Sequence, residues 1–219
     1  AMFALVRTDP QAPKHRGISV VLIEDIHAPG ISVRPLLDLG GRHYFNEVFF
    51  EDVRVPIANV VGEVDRGWYV AMTLLDFERS NIGGAVGARR TLERLLSRVR
   101  ADPVLAARLR QSPLRHELAQ RFIETEVMFQ FSARIVSIQG RGQLPNDEAS
   151  MAKLFASELS QRIAQTCLQV AGLAGARLDG EDARWGHLYL GMVPATIRGG
   201  TSEVQRNVIA NRGLGLPRG

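Results

Sequence analysis

The sequence predicts an α+β fold, an antiparallel β portion to about Val61 followed by a bundle of helices. Three observations carry that expectation. Up to Val61 the apolar residues fall in short β-branched and aromatic runs, separated by Pro, Gly and Asp clusters. These runs follow one another with no helical stretch between them, which disfavours a βαβ unit. Beyond "VGEVDRGW" the apolar residues recur at helical spacing.

The strand candidates are "MFALVR", "ISVVLIE", "ISVRPLL" and "YFNEVFF". "TDPQAPKHRG" and "HAPG" separate the first three, with Pro29-Gly30 as a tight turn, and "DLGGRH" turns the chain before the fourth. A helix is expected from Trp68 to about Arg100, and further helical stretches at about 103–139, 146–173 and 182–197. "GRGQLPND" is a loop, with Asn146 or Asp147 as the following N-cap. A short helix from about Ser202 to Asn211 completes the series. The domain line is drawn at the change of period, with residues 1–61 as the β portion and 62–219 as the helical bundle.

Bulk properties narrow the function. The chain has 219 residues, 45% hydrophobic and 23% charged, a composition ordinary for a globular protein. No run of about 18 apolar residues occurs, and the N-terminus lacks the basic start and cleavage site of a signal peptide. Cys167 is the single cysteine, so no internal disulfide forms, and a cytoplasmic location is expected. The net charge of +4 comes from scattered Arg rather than a basic block, a weak argument for nucleic acid. The five histidines stand at no metal-ligand spacing, and neither a Walker loop nor G-x-G-x-x-G nor G-x-S-x-G is present.

Two places carry chemistry. On the first long helix, taking Ala71 as zero at about 100° per residue, Leu74, Leu75, Ile82, Ala85 and Val86 lie within about 60°. Glu78 falls at about −20°, in the middle of that apolar stripe. A desolvated carboxylate has a raised pKa and is a stronger base once ionised. A buried salt bridge is the competing structural reading of Glu78. The second place is "ATIRGGTSEVQRNVIANRGLGLPR". Its paired glycines permit positive φ and a close approach to the backbone. Thr201 or Ser202 caps the helix that follows, whose free N–H groups favour an anion; an ordinary capped loop is the plain alternative.

Together these stretches resemble the acyl-CoA dehydrogenases over essentially the whole chain. "GISVVLIE…PGISVRPLLDLGG…FNEVFFEDVRVPIANVVGE…GW" is similar to the second half of that family's middle β-domain and its link to the C-terminal helices. "LLDFERSNIG" resembles the start of the first bundle helix, and "IRGGTSEVQRNVIANRGLGLPR" the family's closing stretch. The resemblance implies an FAD enzyme that oxidises an acyl-CoA thioester to its trans-2-enoyl form. Many members carry the catalytic glutamate immediately before the "GT" of the closing stretch, where this chain has Gly199. Others place it on the first bundle helix before an arginine, and Glu78 of "DFER" matches that position. Thr201 and Glu203 match contacts to FAD, and Gln169 of "LQVAG" matches a glutamine reaching the cofactor across a dimer interface. The glycine pair, Gly199 and Gly200, is expected to bring backbone close to the flavin. Asp76 and Arg79 match positions beside the thioester and pantetheine arm.

The family's "R-x-Q-F" stretch, whose Arg meets the FAD pyrophosphate of a partner subunit, is absent. "VRADPVLAARLRQ" stands there, with Arg108 or Arg110 as substitutes. The family's N-terminal helical domain and flavin-stacking strands are also absent from this sequence, which is therefore expected to be a fragment or to have a partner chain. A similar variant occurs in the branch that includes bacterial steroid side-chain dehydrogenases. The implied partners are an acyl-CoA, from fatty acid or sterol side-chain oxidation, an electron-transfer flavoprotein or similar acceptor, and further subunits in a homo- or hetero-oligomer. Two other readings remain: a non-catalytic partner subunit that serves oligomerisation, and a flavin monooxygenase-like or nitroalkane-oxidising member of the superfamily.

Overall fold

The computed structural model describes residues 1–77 and 82–217. The chain forms two compact units, Ala1–Glu78 and Arg79–Gly219. The sequence-based line between residues 61 and 62 follows the change of period. The contact division comes later because the first helix packs on the strands.

In the first unit β1 (Met2–Arg7), β2 (Ile18–Ile23) and β5 (Val60–Val61) form an antiparallel sheet in the order β1-β2-β5. β1 and β2 run in register from Met2 opposite Ile23 to Arg7 opposite Ile18, and Val20 faces Val61. β3 (Ile31–Leu37) and β4 (His43–Phe50) pair separately as an antiparallel hairpin with an irregularity at Leu36/Leu37. Its turn is built by Asp38, whose Oδ1 accepts from the amides of Gly40 at 2.8 Å and Arg42 at 2.9 Å. The four expected strands are present. β5 is only two residues long, too short for a periodic signal.

α1 (Gly67–Phe77) packs against β2 and β1. Gly67 makes that approach possible, since a Cβ there would stand 2.4 Å from the Ser19 carbonyl carbon and the Val20 nitrogen. A hydroxyl network joins the same elements: Thr8 Oγ1 lies 2.8 Å from Ser19 Oγ, which accepts from the Asp65 amide at 2.8 Å. His15 stacks on Trp68 with ring centroids 4.2 Å apart.

The second unit contains α2 (Ile82–Ala101), α3 (Pro103–Arg110), α4 (Leu114–Gly140), α5 (Asn146–Ala171), α6 (Leu173–Ala176), α7 (Ala183–Met192) and α8 (Ser202–Val208). α5 is the central element and packs against α2, α4, α7 and α8. Its inner stripe, Ala156, Leu159, Ile163, Cys167 and Val170, recurs every three or four residues. It meets Leu92 and Leu95 of α2, Leu118 and Met128 of α4, and Trp185 of α7. Arg98 of α2 forks onto Asp182 at 3.0 Å through Nε and again through Nη2, while Trp185 Nε1 donates to the same carboxylate at 3.2 Å.

Several helix limits differ from the expected ones. The stretch 103–139 is two helices, α3 and α4, broken at Ser112-Pro113. Proline lacks an N–H and disfavours helix in the residue before it. Pro145, not Asn146 or Asp147, occupies the N-cap position of α5, without a side-chain cap. Met192 ends α7, where Pro194 tightens the chain into a 3₁₀ turn over Val193–Thr196. The helix expected from Trp68 to Arg100 is represented by α1 and α2, with 78–81 outside the described residues.

Candidate active site

The glycine pair lies between the 3₁₀ turn and α8. Gly199 has φ +65° and Gly200 φ +95°, both in the region side chains avoid. Thr201 is the N-cap: its Oγ1 accepts from the Val204 amide at 3.3 Å. Ser202, the other candidate, is buried, and its Oγ has no hydrogen-bond partner among the described residues. Glu203 is exposed in the first turn. Its own backbone amide, then the Thr201 hydroxyl, hold its carboxyl below the ordinary value.

Both glycine carbonyls are held by side chains. Gln205 Nε2 donates to Gly199 O at 3.2 Å, and Lys153 Nζ, from the first half of α5, donates to Gly200 O. Burial, and after it the charge of Arg198, hold the Lys153 pKa below its ordinary value. The two glycines differ in their surroundings. Among the described residues a Cβ on Gly199 would have Lys153 Cε, at 3.9 Å, as its nearest neighbour, an ordinary van der Waals contact, so this position is uncrowded. A Cβ on Gly200 would lie 2.4 Å from Gln205 Nε2.

Gln169 stands on the same helix as Lys153 but sixteen residues later, about 24 Å along the axis at 1.5 Å per residue. The structure therefore gathers Gly199, Gly200, Thr201 and Glu203 at one point and leaves Gln169 away from them. The Gln169 side chain is exposed, and its carbonyl accepts from Arg108 Nη2 at 2.9 Å. The Arg108 guanidinium also lies against Gly172, whose Cβ, were there one, would stand 2.5 Å from Nη1. Of the two arginines considered beside this segment, Arg108 is the one brought to it.

Asp76 lies in the last turn of α1, and its side chain is outside the described part of the structure. Glu78 and Arg79 lie outside the described residues. On the stripe drawn around Glu78, Ala71 and Ala85 are buried, whereas Leu74 and Val86 are exposed. Sequence reasoning missed Lys153, Arg198 and Gln205. Gln205 lies four residues after the capping threonine and was within reach of a local argument. Lys153 reaches the turn from a helix 47 residues away, and no local pattern announces it.

Among the described residues no group of three His, Cys, Asp or Glu side chains could hold a metal ion, and no helix is long and apolar enough to cross a membrane. Cys167 is fully buried, which pushes its thiol up to about 12 and leaves it a packing residue.

Residues 65–214 match the family of the acyl-CoA dehydrogenase C-terminal domain. The chain is 35% identical over 224 residues to acyl-CoA dehydrogenase IpdE1 of Mycolicibacterium smegmatis, covering 99% of this chain and 53% of that protein. Among solved structures it is similar to the Tcur3481-Tcur3483 steroid ACAD, with TM-score 0.85 and 30% identity over 98% of this chain and 56% of that one. The ChsE4-ChsE5 complex from Mycobacterium tuberculosis matches with TM-score 0.84 and 31% identity, covering 99% and 57%. The chain thus spans about half the length of the relatives it matches. Members of this family are FAD-dependent. From the family match across most of the helical unit and the shared fold across nearly the whole chain, this protein belongs to the acyl-CoA dehydrogenases.

Proposed function

We propose that this chain is the C-terminal part of an FAD-dependent acyl-CoA dehydrogenase, with residues 1–61 as part of the middle β-domain and 62–219 as the C-terminal helical domain. The observation that carries the reading is the glycine turn. Its two carbonyls are held by Gln205 and Lys153, its Gly199 position is uncrowded among the described residues, and Ser202 Oγ beside it is buried with no hydrogen-bond partner among them. These features fit a flat cofactor laid against the backbone. Gly199, Gly200, Thr201 and Glu203 would hold the flavin end. Gln169, with Arg108 beside it, would serve the pyrophosphate of a second subunit's cofactor, which accounts for its distance from the turn within one chain. When bound, FAD supplies the acceptor for the hydride lost from the β carbon.

Glu78 is the proposed base. It follows Phe77, the last residue of α1, and would take the α proton of the thioester as the enoyl double bond forms. Asp76 and Arg79 would position the thioester and the pantetheine arm. The names of the steroid and two-component relatives favour a bulky sterol-derived acyl group and a second kind of subunit. An electron-transfer flavoprotein or similar acceptor would reoxidise the enzyme.

Glu78→Gln in the full-length protein tests the mechanism. Flavin content and subunit mass should stay unchanged, while bleaching of the flavin by an acyl-CoA slows by roughly two to four decades, the usual contribution of a placed general base. A lowered melting temperature with near-normal bleaching would instead assign Glu78 to a structural ion pair.

A further inference from the structure

A cavity of about 220 Å³ opens in the helical unit, lined in part by Lys153, Ser157 and Ser160 of α5 and by Arg198, which immediately precedes the glycine pair. Met128 of α4 and Met192 of α7 add apolar wall. Among the described residues the charges around it do not balance: two cations line the cavity, and no carboxylate does. Lys153 donates to a neutral carbonyl, that of Gly200. Among the described residues the Arg198 guanidinium has no ion-pair partner. The carboxylates whose charge attracts Lys153 are engaged elsewhere. Glu158 accepts from Arg206 at 2.5 Å, and Glu203 is held by its own amide and the Thr201 hydroxyl.

Two like charges sharing one concavity raise the energy of the folded chain, and an anion placed between them reverses that cost. The lowered Lys153 pKa reflects the same imbalance, since burial and Arg198 both disfavour its charged form. Size narrows the occupant. The cavity is smaller than the roughly 300–1,000 Å³ that encloses a whole drug-sized ligand, so it takes an end group. Arginine's planar fork and lysine's point charge together suit an oxygen anion. The Ser157 and Ser160 hydroxyls donate to Leu154 O at 3.1 Å and Ala156 O at 2.8 Å, and each is free to rotate toward a better acceptor.

We propose that Lys153 and Arg198 form an oxyanion site for a group of carboxylate or phosphate size. Two sources supply such a group: a carboxylate carried on the acyl chain, or a free phosphate. The first rests on the acyl-CoA dehydrogenase reading, and the second does not.

The test is calorimetric titration of the full-length protein, as purified, with sodium phosphate and separately with sodium acetate, ionic strength being held constant with chloride. Saturable binding is expected for at least one anion, weakened at least tenfold in Arg198→Gln. Arg198 is exposed, so this variant should keep the wild-type melting curve without added anion. Lys153→Arg, which keeps the charge, should retain binding within about threefold. The second arm compares an ω-carboxyl acyl-CoA with its methyl ester as substrates. A KM at least tenfold lower for the acid, lost in Arg198→Gln, assigns the site to the acyl chain. Phosphate binding through Arg198 without that preference assigns it to a free oxyanion. Absence of saturable binding by either anion, or binding unchanged in Arg198→Gln, overturns the proposal. A protein that binds phosphate through Arg198 but dehydrogenates no acyl-CoA keeps the site and removes the enzymatic reading.

Discussion

At Gly199 and Gly200 the backbone asks for the same thing and the surroundings ask for different things. Both residues have positive φ, but only Gly200 faces a side chain that a Cβ would strike. Gly199→Ala should therefore cost about 1 kcal/mol, the ordinary left-handed penalty. Gly200→Ala should cost more, about 2–3 kcal/mol, because Gln205 must also give way. Urea denaturation of the two variants side by side checks the order, and equal losses would remove Gln205 from the account. Cys167 gives a pH-dependent expectation. Burial raises its folded pKa from 9.0 to about 12, so its contribution is fully present below pH 9 and is lost as pH rises toward 12. Wild-type stability minus that of Cys167→Ala should fall across that window by about 1.4 kcal/mol per pH unit. A flat difference would show that the thiol is hydrated in the native state.

Among the elements, α2 and α7 depend on one carboxylate. Asp182 accepts two bonds from Arg98 and one from the Trp185 indole, and it is almost fully buried. Asp182→Ala leaves a guanidinium and an indole N–H without that acceptor. Asp102 still holds Arg98 at 3.1 Å, so the loss should lie near the lower end of the range for a broken buried pair, about 3 kcal/mol. Chemical denaturation of the full-length protein reads it, and a loss below about 1 kcal/mol would mean that the clamp is solvated. Asp102 also accepts from the amides of Val104 and Leu105 at 3.0 Å, which makes α3 a helix despite its length of eight residues. Its Asp-Pro start is a local signal readable in the sequence. The α3/α4 break is equally local, at Pro113, but the apolar period runs across it and conceals it.

For the whole molecule, the separation of Gln169 from the glycine turn has a consequence. If both serve flavin, they serve different cofactors, and each site needs a second chain. The full-length protein should then scatter light with a mass of at least two subunits at micromolar concentration. Arg108→Gln should lower flavin content without changing that mass. A monomer that retains its flavin would remove Gln169 and Arg108 from the cofactor site. The β3–β4 hairpin is also left with Leu36, Leu37, Tyr44, Phe45, Phe49 and Phe50 exposed.

The sequence by itself determined the fold class, four of the five strands, the two glycines and the family, because each rests on local periodicity, a backbone requirement or an ordered run of motifs. Glu78, drawn from its place on a helical stripe, lies outside the described residues and remains a proposal. Tertiary structure decided the rest. It chose Thr201 over Ser202 as the cap and Arg108 over Arg110 as the neighbour of Gln169. It brought Lys153 and Arg198 to one cavity and set α1 on the strands. Each of these depends on which residues distant in sequence come within a few ångströms, and no window along the chain contains that information.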